Sequence, residues 1–349
     1  MDFEHLTRRA FLKMMGIGVA TLAVPLRMCQ SAGFSANFGN VHDRVWIGRD
    51  FWTIPMEDWR VKDGRVEGIG QRANTRLNVL TQVLGQGRGN VSVSVRMGAL
   101  RPENKQGSAG LRIGIVDSND PDPRAACYFG RGINAGVDVG QNHLFIDKSS
   151  TALPDNFDYS DFSLHFDAEP ESSQYSLTLT ATDAKNQTTT VHGSAKDLHG
   201  LIALVNNFTR PADGQEAPGF WFNDLTISGS KAETHPENAF GPILWSMYTL
   251  SRGVLKLTAQ MPPLGPEDTQ QVRLQIKKGN DWEQAAEQTI EPDSRTATFR
   301  LTGWDPTQEV PYRVLYTETG KNGQERDYSY LGTIRREPVE KALIFAGMT

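Results

Sequence analysis

The chain is poor in the residues that staple small proteins or build simple metal sites. Among 349 residues there are two cysteines, Cys29 and Cys127. Cys29 lies just after an N-terminal apolar segment, where cleavage would remove it, and the single thiol left closes no internal disulfide. Cohesion must therefore come from packed cores. No Lys/Arg run occurs beyond the N-terminal segment and the formal net charge is only -5, so no nucleic-acid partner is expected. No apolar stretch reaches the roughly 20 residues of a permanent membrane helix. The seven histidines, His5, His42, His143, His165, His192, His199 and His235, form no His-x-x-x-His pair, and there is no Cys-x-x-Cys. The Glu-x-Asp-x-x-Glu run by which a jelly-roll glycosidase pairs its carboxylates is missing too. No catalytic residue is assigned.

What is present begins at the N-terminus. Thr7-Arg8-Arg9-Ala10-Phe11-Leu12-Lys13 is followed by an apolar run over residues 14–26, too short to span a bilayer and moderated by Gly16 and Gly18. This resembles a twin-arginine export signal, with Arg8, Arg9, Phe11, Leu12 and Lys13 as its signature. The resemblance implies the twin-arginine translocase as partner and the periplasm, cell surface or extracellular space as destination. The signal segment is placed at residues 1–36. Gln30-Ser31-Ala32 offers a cleavage site, Leu26-Arg27-Met28-Cys29 a lipobox with Cys29 as anchor, and retention uncleaved is the third outcome.

Beyond it, short alternating runs broken by Gly, Asn and Asp give an all-β reading. Residues 91–97, 163–166 and 175–180 alternate apolar and polar, and 111–116 and 201–205 add apolar strands, enough for two packed sheets over 40–230. Residues 231–239 are polar, contain Pro236 and lack periodicity, so they are expected to be a linker. Seven further strands are expected at 244–249, 254–260, 272–277, 284–290, 296–301, 312–317 and 327–334, a number and spacing suited to an immunoglobulin-like sandwich over 240–337. Lys321-Asn322-Gly323 is expected to turn the last hairpin.

Several motifs resemble known families. Phe51-Trp52, Trp59-Arg60-Val61-Lys62-Asp63-Gly64 and the closing Gly219-Phe220-Trp221-Phe222-Asn223-Asp224 are similar to the first and last strands of concanavalin A-like, laminin-G-type jelly rolls. Gly303-Trp304-Asp305-Pro306 followed by Pro311-Tyr312 resembles fibronectin type III, which implies that Tyr312 braces the corner by a hydrogen bond. Residues 311–320 with 330–338 resemble the sandwich preceding the catalytic domain of alkaline phosphatase D-like metallophosphatases, and 338–349 resemble the start of that domain. The resemblance implies catalytic metals, but their ligands would sit in a domain that does not occur in this sequence, so none is transferred.

Two candidate sites remain. Asp117, Asn119, Asp120 and Asp122 gather the hard oxygen ligands calcium prefers, but Pro121 and Pro123 break the EF-hand pattern and the same residues also suit a plain polar turn. Trp46, Trp52, Trp59 and Trp221 can form a sugar-stacking platform or simply fill a core. Gly85-Gln86-Gly87-Arg88-Gly89-Asn90 reads as a hairpin turn, and the Ser228-x-x-Lys231 spacing as chance. The expected function is the exported, non-catalytic front part of an alkaline phosphatase D-like protein. The alternative is an extracytoplasmic glycan-binding or scaffold protein with a polysaccharide partner, and a third reading has a separately encoded catalytic domain assembling with this chain.

Overall fold

The computed structural model describes residues 33–120, 122–209 and 218–338. The export signature with Arg8, Arg9, Phe11, Leu12 and Lys13, the cleavage or lipobox region around Cys29, and the strand expected over 342–349 lie outside the described residues.

Two antiparallel sheets form the first sandwich. Sheet I runs in the order Thr188–Ala195, Gln174–Asp183, Phe162–Glu171, Val91–Ala99, Phe220–Ser228, Arg65–Gly68 and Trp59–Lys62, with Phe34–Ala36 beside the far end of Phe220–Ser228. Sheet II runs Ser149–Ala152, His143–Ile146, Arg131–Asp138, Ser108–Val116, Gly200–Asn206, Thr75–Leu84 and Ala232–Thr234, with Phe51–Trp52 also on Thr75–Leu84. The two-residue period explains the layering. In Gln174–Asp183, Tyr175, Leu177, Leu179 and Ala181 enter the core while Thr178, Thr180 and Thr182 face out, where Thr180 and Thr190 meet at 3.1 Å. Facing rows such as Val93, Val95, Leu164 and Phe166 from sheet I and Leu77, Leu111 and Leu204 from sheet II close the core, each fully buried side chain contributing about 1.5–3 kcal/mol.

Two boundaries and one element differ from expectation. Residues 34–36, assigned to the signal segment, pair Phe34 with Ile227 and belong to sheet I. Residues 231–239 are not a linker: Ala232–Thr234 extends sheet II, and the Lys231 ammonium is buried against the carbonyls of Gly85 and Gly87 at 2.7 and 2.6 Å. Polarity misled because that amine is satisfied by the turn it packs on, and Asn238 Nδ2 then donates to Leu80 O at 3.2 Å. Lastly, the first sandwich, read from the sequence as all-β, carries among its described residues one short α-helix, Pro123–Phe129.

The second sandwich holds seven strands, three in one sheet (Trp245–Ser251, Val254–Gln260, Thr296–Thr302) and four in the other (Asp281–Thr289, Gln271–Lys278, Val310–Thr319, Glu325–Ile334). Leu255, Leu257, Val272, Leu274, Phe299 and Val314 fill it. Tyr312 does not make the fibronectin-type corner bond. Its ring lies over Gly332, where a Cβ would collide with it, and its hydroxyl reaches Ser246 Oγ in the other sheet at 2.7 Å. The last hairpin turns at residues 320–324, with Gly323 at φ 79° and the amides of Lys321 and Asn322 donating to Asn40 of the first sandwich.

A buried arginine joins the two sandwiches. Arg44 donates to Asp268 Oδ1 at 2.9 Å, Glu318 Oε1 at 2.7 Å and Trp46 O at 2.8 Å, and its guanidinium lies 4.5 Å from the Trp46 ring centroid. Arg44 and Asp268 side chains are 2% and 1% exposed. Removing one partner of such a pair strands the other, so Asp268→Ala should cost about 3–5 kcal/mol in denaturant unfolding. A loss under about 1 kcal/mol would show that the pair carries no such weight.

Candidate ligand-binding face

The outer side of sheet II is partly covered. Leu80, Leu201, Ala203 and Ile115 point away from the main core and are roofed by Ala126 and Cys127 of the helix. That helix starts where Asp122 accepts a hydrogen bond from the Arg124 amide at 2.8 Å and Pro123 supplies a first-turn residue needing no donor. It stops at Gly130, whose backbone packs so close to Ile115 and Ala126 that a side chain would clash. Its last carbonyls are taken up by a strand residue: Arg76 donates to Gly130 O at 2.9 Å and to Cys127 O and Tyr128 O, both at 3.1 Å. Burial pushes the Cys127 thiol up to about 12.

The helix ends in an exposed aromatic step. Tyr128 and Phe129 are 53% and 75% exposed. Tyr128 meets the half-buried Trp52 edge-on at 5.1 Å and Phe129 at 6.0 Å, and Ile54 is exposed nearby in sequence to Trp52. Continuing across the sheet from Arg76, Arg112 is fixed by Asn134 Oδ1 at 2.6 Å and Asn74 Oδ1 at 2.8 Å, with Phe208 5.9 Å away and packed edge-on to Phe145. Burial, and then the neighbouring Arg76 charge, pushes the Arg112 guanidinium down to about 10, and burial lowers Arg76 as well. Beside Phe208 a cavity of about 380 Å³ is lined by Asn134, His143, Phe145, Asp147 and Lys148.

The expected calcium loop lies at the opposite end of the helix, on a cleft of about 340 Å³ with Glu233 and His199 over Leu84 and Leu201. Its carboxylates are committed to backbone. Asp117 takes the Asn119 amide at 2.9 Å, Asp120 the Asp122 amide at 2.9 Å, and Asp122 caps the helix and holds Arg124. Among the described residues no three His, Cys, Asp or Glu side chains are placed to hold a metal ion. In this structure Asp117, Asp120 and Asp122 close turns through these amides, and Asp122 starts the helix.

The four tryptophans do not assemble into a platform. Trp46 is sealed in the junction, its indole N–H on Phe240 O at 3.1 Å. Trp59 is fully buried against Phe222. Trp221, the outward residue between inward Phe220 and Phe222, lies on sheet I with Arg65 and Arg96 at 5.3 and 5.8 Å and donates to Ser160 O. Only Trp52 belongs to the face. Tyr128 and Phe129 went unremarked in the sequence, where Asp122-Pro123 and Gly130 were the available start and stop signals for their helix. His165 pairs with Asp167 at 3.0 Å on sheet I, and Lys231 of the Ser-x-x-Lys spacing is spent on carbonyls.

No protein-family model matches the sequence, and no curated protein does. Similar solved structures include the metal-free lectin I-B4 from Griffonia simplicifolia, 10% identical at a TM-score of 0.40 over 56% of this chain and 99% of the lectin. A seed lectin of Lotus tetragonolobus is 12% identical at 0.37, covering 56% and 98%. The lumenal domain of VIP36 bound to Ca²⁺ and Man3GlcNAc is 12% identical at 0.32, covering 54% and 86%. The likeness is one of strand arrangement, and no site residue is transferred from it.

A thiol held near 12 is about one part in ten thousand ionised at pH 8. Cys127 should therefore resist alkylation in the folded protein and react once guanidinium unfolds it, read by peptide mass mapping. Arg76→Ala, by uncapping the helix, should speed that reaction at least tenfold without denaturant.

Proposed function

We propose that this chain is an exported, non-catalytic glycan-binding protein whose first sandwich carries the ligand on the outer face of sheet II. The observation that supports it is the step of Trp52, Tyr128 and Phe129. Single exposed rings are ordinary, but adjacent ones form an apolar patch that marks a binding surface, and burying a ring such as Phe129 is worth about 2 kcal/mol. Tilted rings with amide and guanidinium groups alongside suit the alternating C–H and hydroxyl faces of sugars. The surface is open, which favours a polymer over a small metabolite. Export rests on the twin-arginine resemblance of residues 7–13.

The phosphatase resemblance, which rests on residues 311–320 and 330–338, is a second proposal. A catalytic domain, contiguous or encoded separately, would then be held to a polymer by the first sandwich. Co-purification from the native compartment tests the separate-chain form.

For the glycan reading, affinity electrophoresis against a polysaccharide panel should reveal at least one retained polymer. Trp52→Ala and Phe129→Ala should each weaken retention about tenfold. Trp245→Ala, an exposed ring on the other sandwich, should leave it unchanged. Unaltered binding by both face variants would overturn the assignment.

A further inference from the structure

Arg76 and Arg112 sit side by side on the ligand face, and every atom they donate to is neutral. Val205 separates Arg76 from Gly110, and Ala203 separates Asn78 from Arg112, so the two guanidiniums lie diagonally across the Gly200–Asn206 strand. Arg76 spends its donors on three main-chain carbonyls. Arg112 spends Nε–H and one Nη2–H on two asparagine side chains, leaving Nη1–H donors and a second Nη2–H. Among the described residues no carboxylate is within ion-pair distance of either. The acid that bears on Arg112, Asp147, instead accepts the Asn134 amide at 2.9 Å.

On sheet I the outward arginines are treated differently. Arg60 and Arg65 both hold Glu67, and Arg96 holds Asp161. An arginine fork fixed by two amides, half-buried and with no carboxylate at ion-pair distance among the described residues, is prepared for an oxyanion arriving from outside. Phe208 and Phe145 next to it offer apolar surface to the ring that carries the charge.

We infer that the glycan taken by this face is acidic, with the uronate carboxylate or sulfate ester of one unit held by Arg112 while neighbouring units stack on the aromatic step. This rests on the glycan-binding reading above. The net charge of -5 gives the protein no general attraction for polyanions, so a preference would report the site itself.

The full exported protein is titrated with polygalacturonate and its carboxyl-reduced form, and with dextran sulfate and dextran, the two pairs separating carboxylate from sulfate. At least one charged polymer should bind tenfold or more tighter than its neutral counterpart. Asn134→Asp, isosteric and able to keep the bond to Nε, gives Arg112 an internal counter-ion and should erase most of that preference with unchanged thermal unfolding. Arg112→Lys should lower it several-fold. Equal binding of charged and neutral polymers, with Phe129→Ala still weakening both, overturns the acidic assignment alone. An undiminished preference in Asn134→Asp also overturns it. Failure of any polymer to bind, acidic or neutral, overturns it together with the glycan reading.

Discussion

The molecule is organised around one cation withdrawn from water. Arg44 lies between two separate apolar cores, and a guanidinium there is tolerable only because its donors end on Asp268, Glu318 and the Trp46 carbonyl while its face covers the Trp46 ring. Each partner is fixed in turn. Asp268 accepts the Gly265 amide at 2.7 Å, Glu318 accepts the Tyr328 hydroxyl at 2.9 Å, and Trp46 bonds through both nitrogens to Pro263 and Phe240 carbonyls. An apolar junction would tolerate sliding. A charge with directional partners on both sides admits few relative positions, so the sandwiches behave as one body rather than beads on a tether.

That arrangement explains where the sequence could and could not be read. Residues 254–260 were legible to the residue because the Val254–Gln260 strand buries one face, and 91–97 became Val91–Ala99 for the same reason. Alternation says nothing where the environment, not the period, decides. Lys231 is a buried edge residue whose amine two turn carbonyls satisfy, so a polar stretch that reads as linker is sheet. The junction was equally hidden, since Arg44 and its partners stand 224 and 274 positions apart.

The candidate site was less legible than the fold. Alternation shows that Trp221 faces the other way from Phe220 and Phe222, but not that two guanidiniums cover it. Tryptophan as a residue type therefore pointed to four positions of which one, Trp52, is on the face. Seven helical residues are too few for a 3.6-residue period to stand out, and Asp122 belonged to a run of acids whose metal-like composition outweighed its capping role. What places Tyr128 and Phe129 is Arg76, 52 positions before Tyr128 in the chain, closing the helix from the strand beneath.

The face therefore combines two features that stability alone would have removed. Phe129 is left in water although the sheet next to it carries a roofed apolar patch, and Arg112 is partly desolvated without, among the described residues, the carboxylate that sheet I gives each of its own outward arginines. Either could be a local irregularity of packing. Both occur on one side of one sheet, linked through Arg76, which touches the helix bearing the rings and, after burial, is the second cause that depresses the neighbouring guanidinium. A cost repeated within one connected surface, and absent from the opposite sheet, is what supports the proposal that this face takes a ligand.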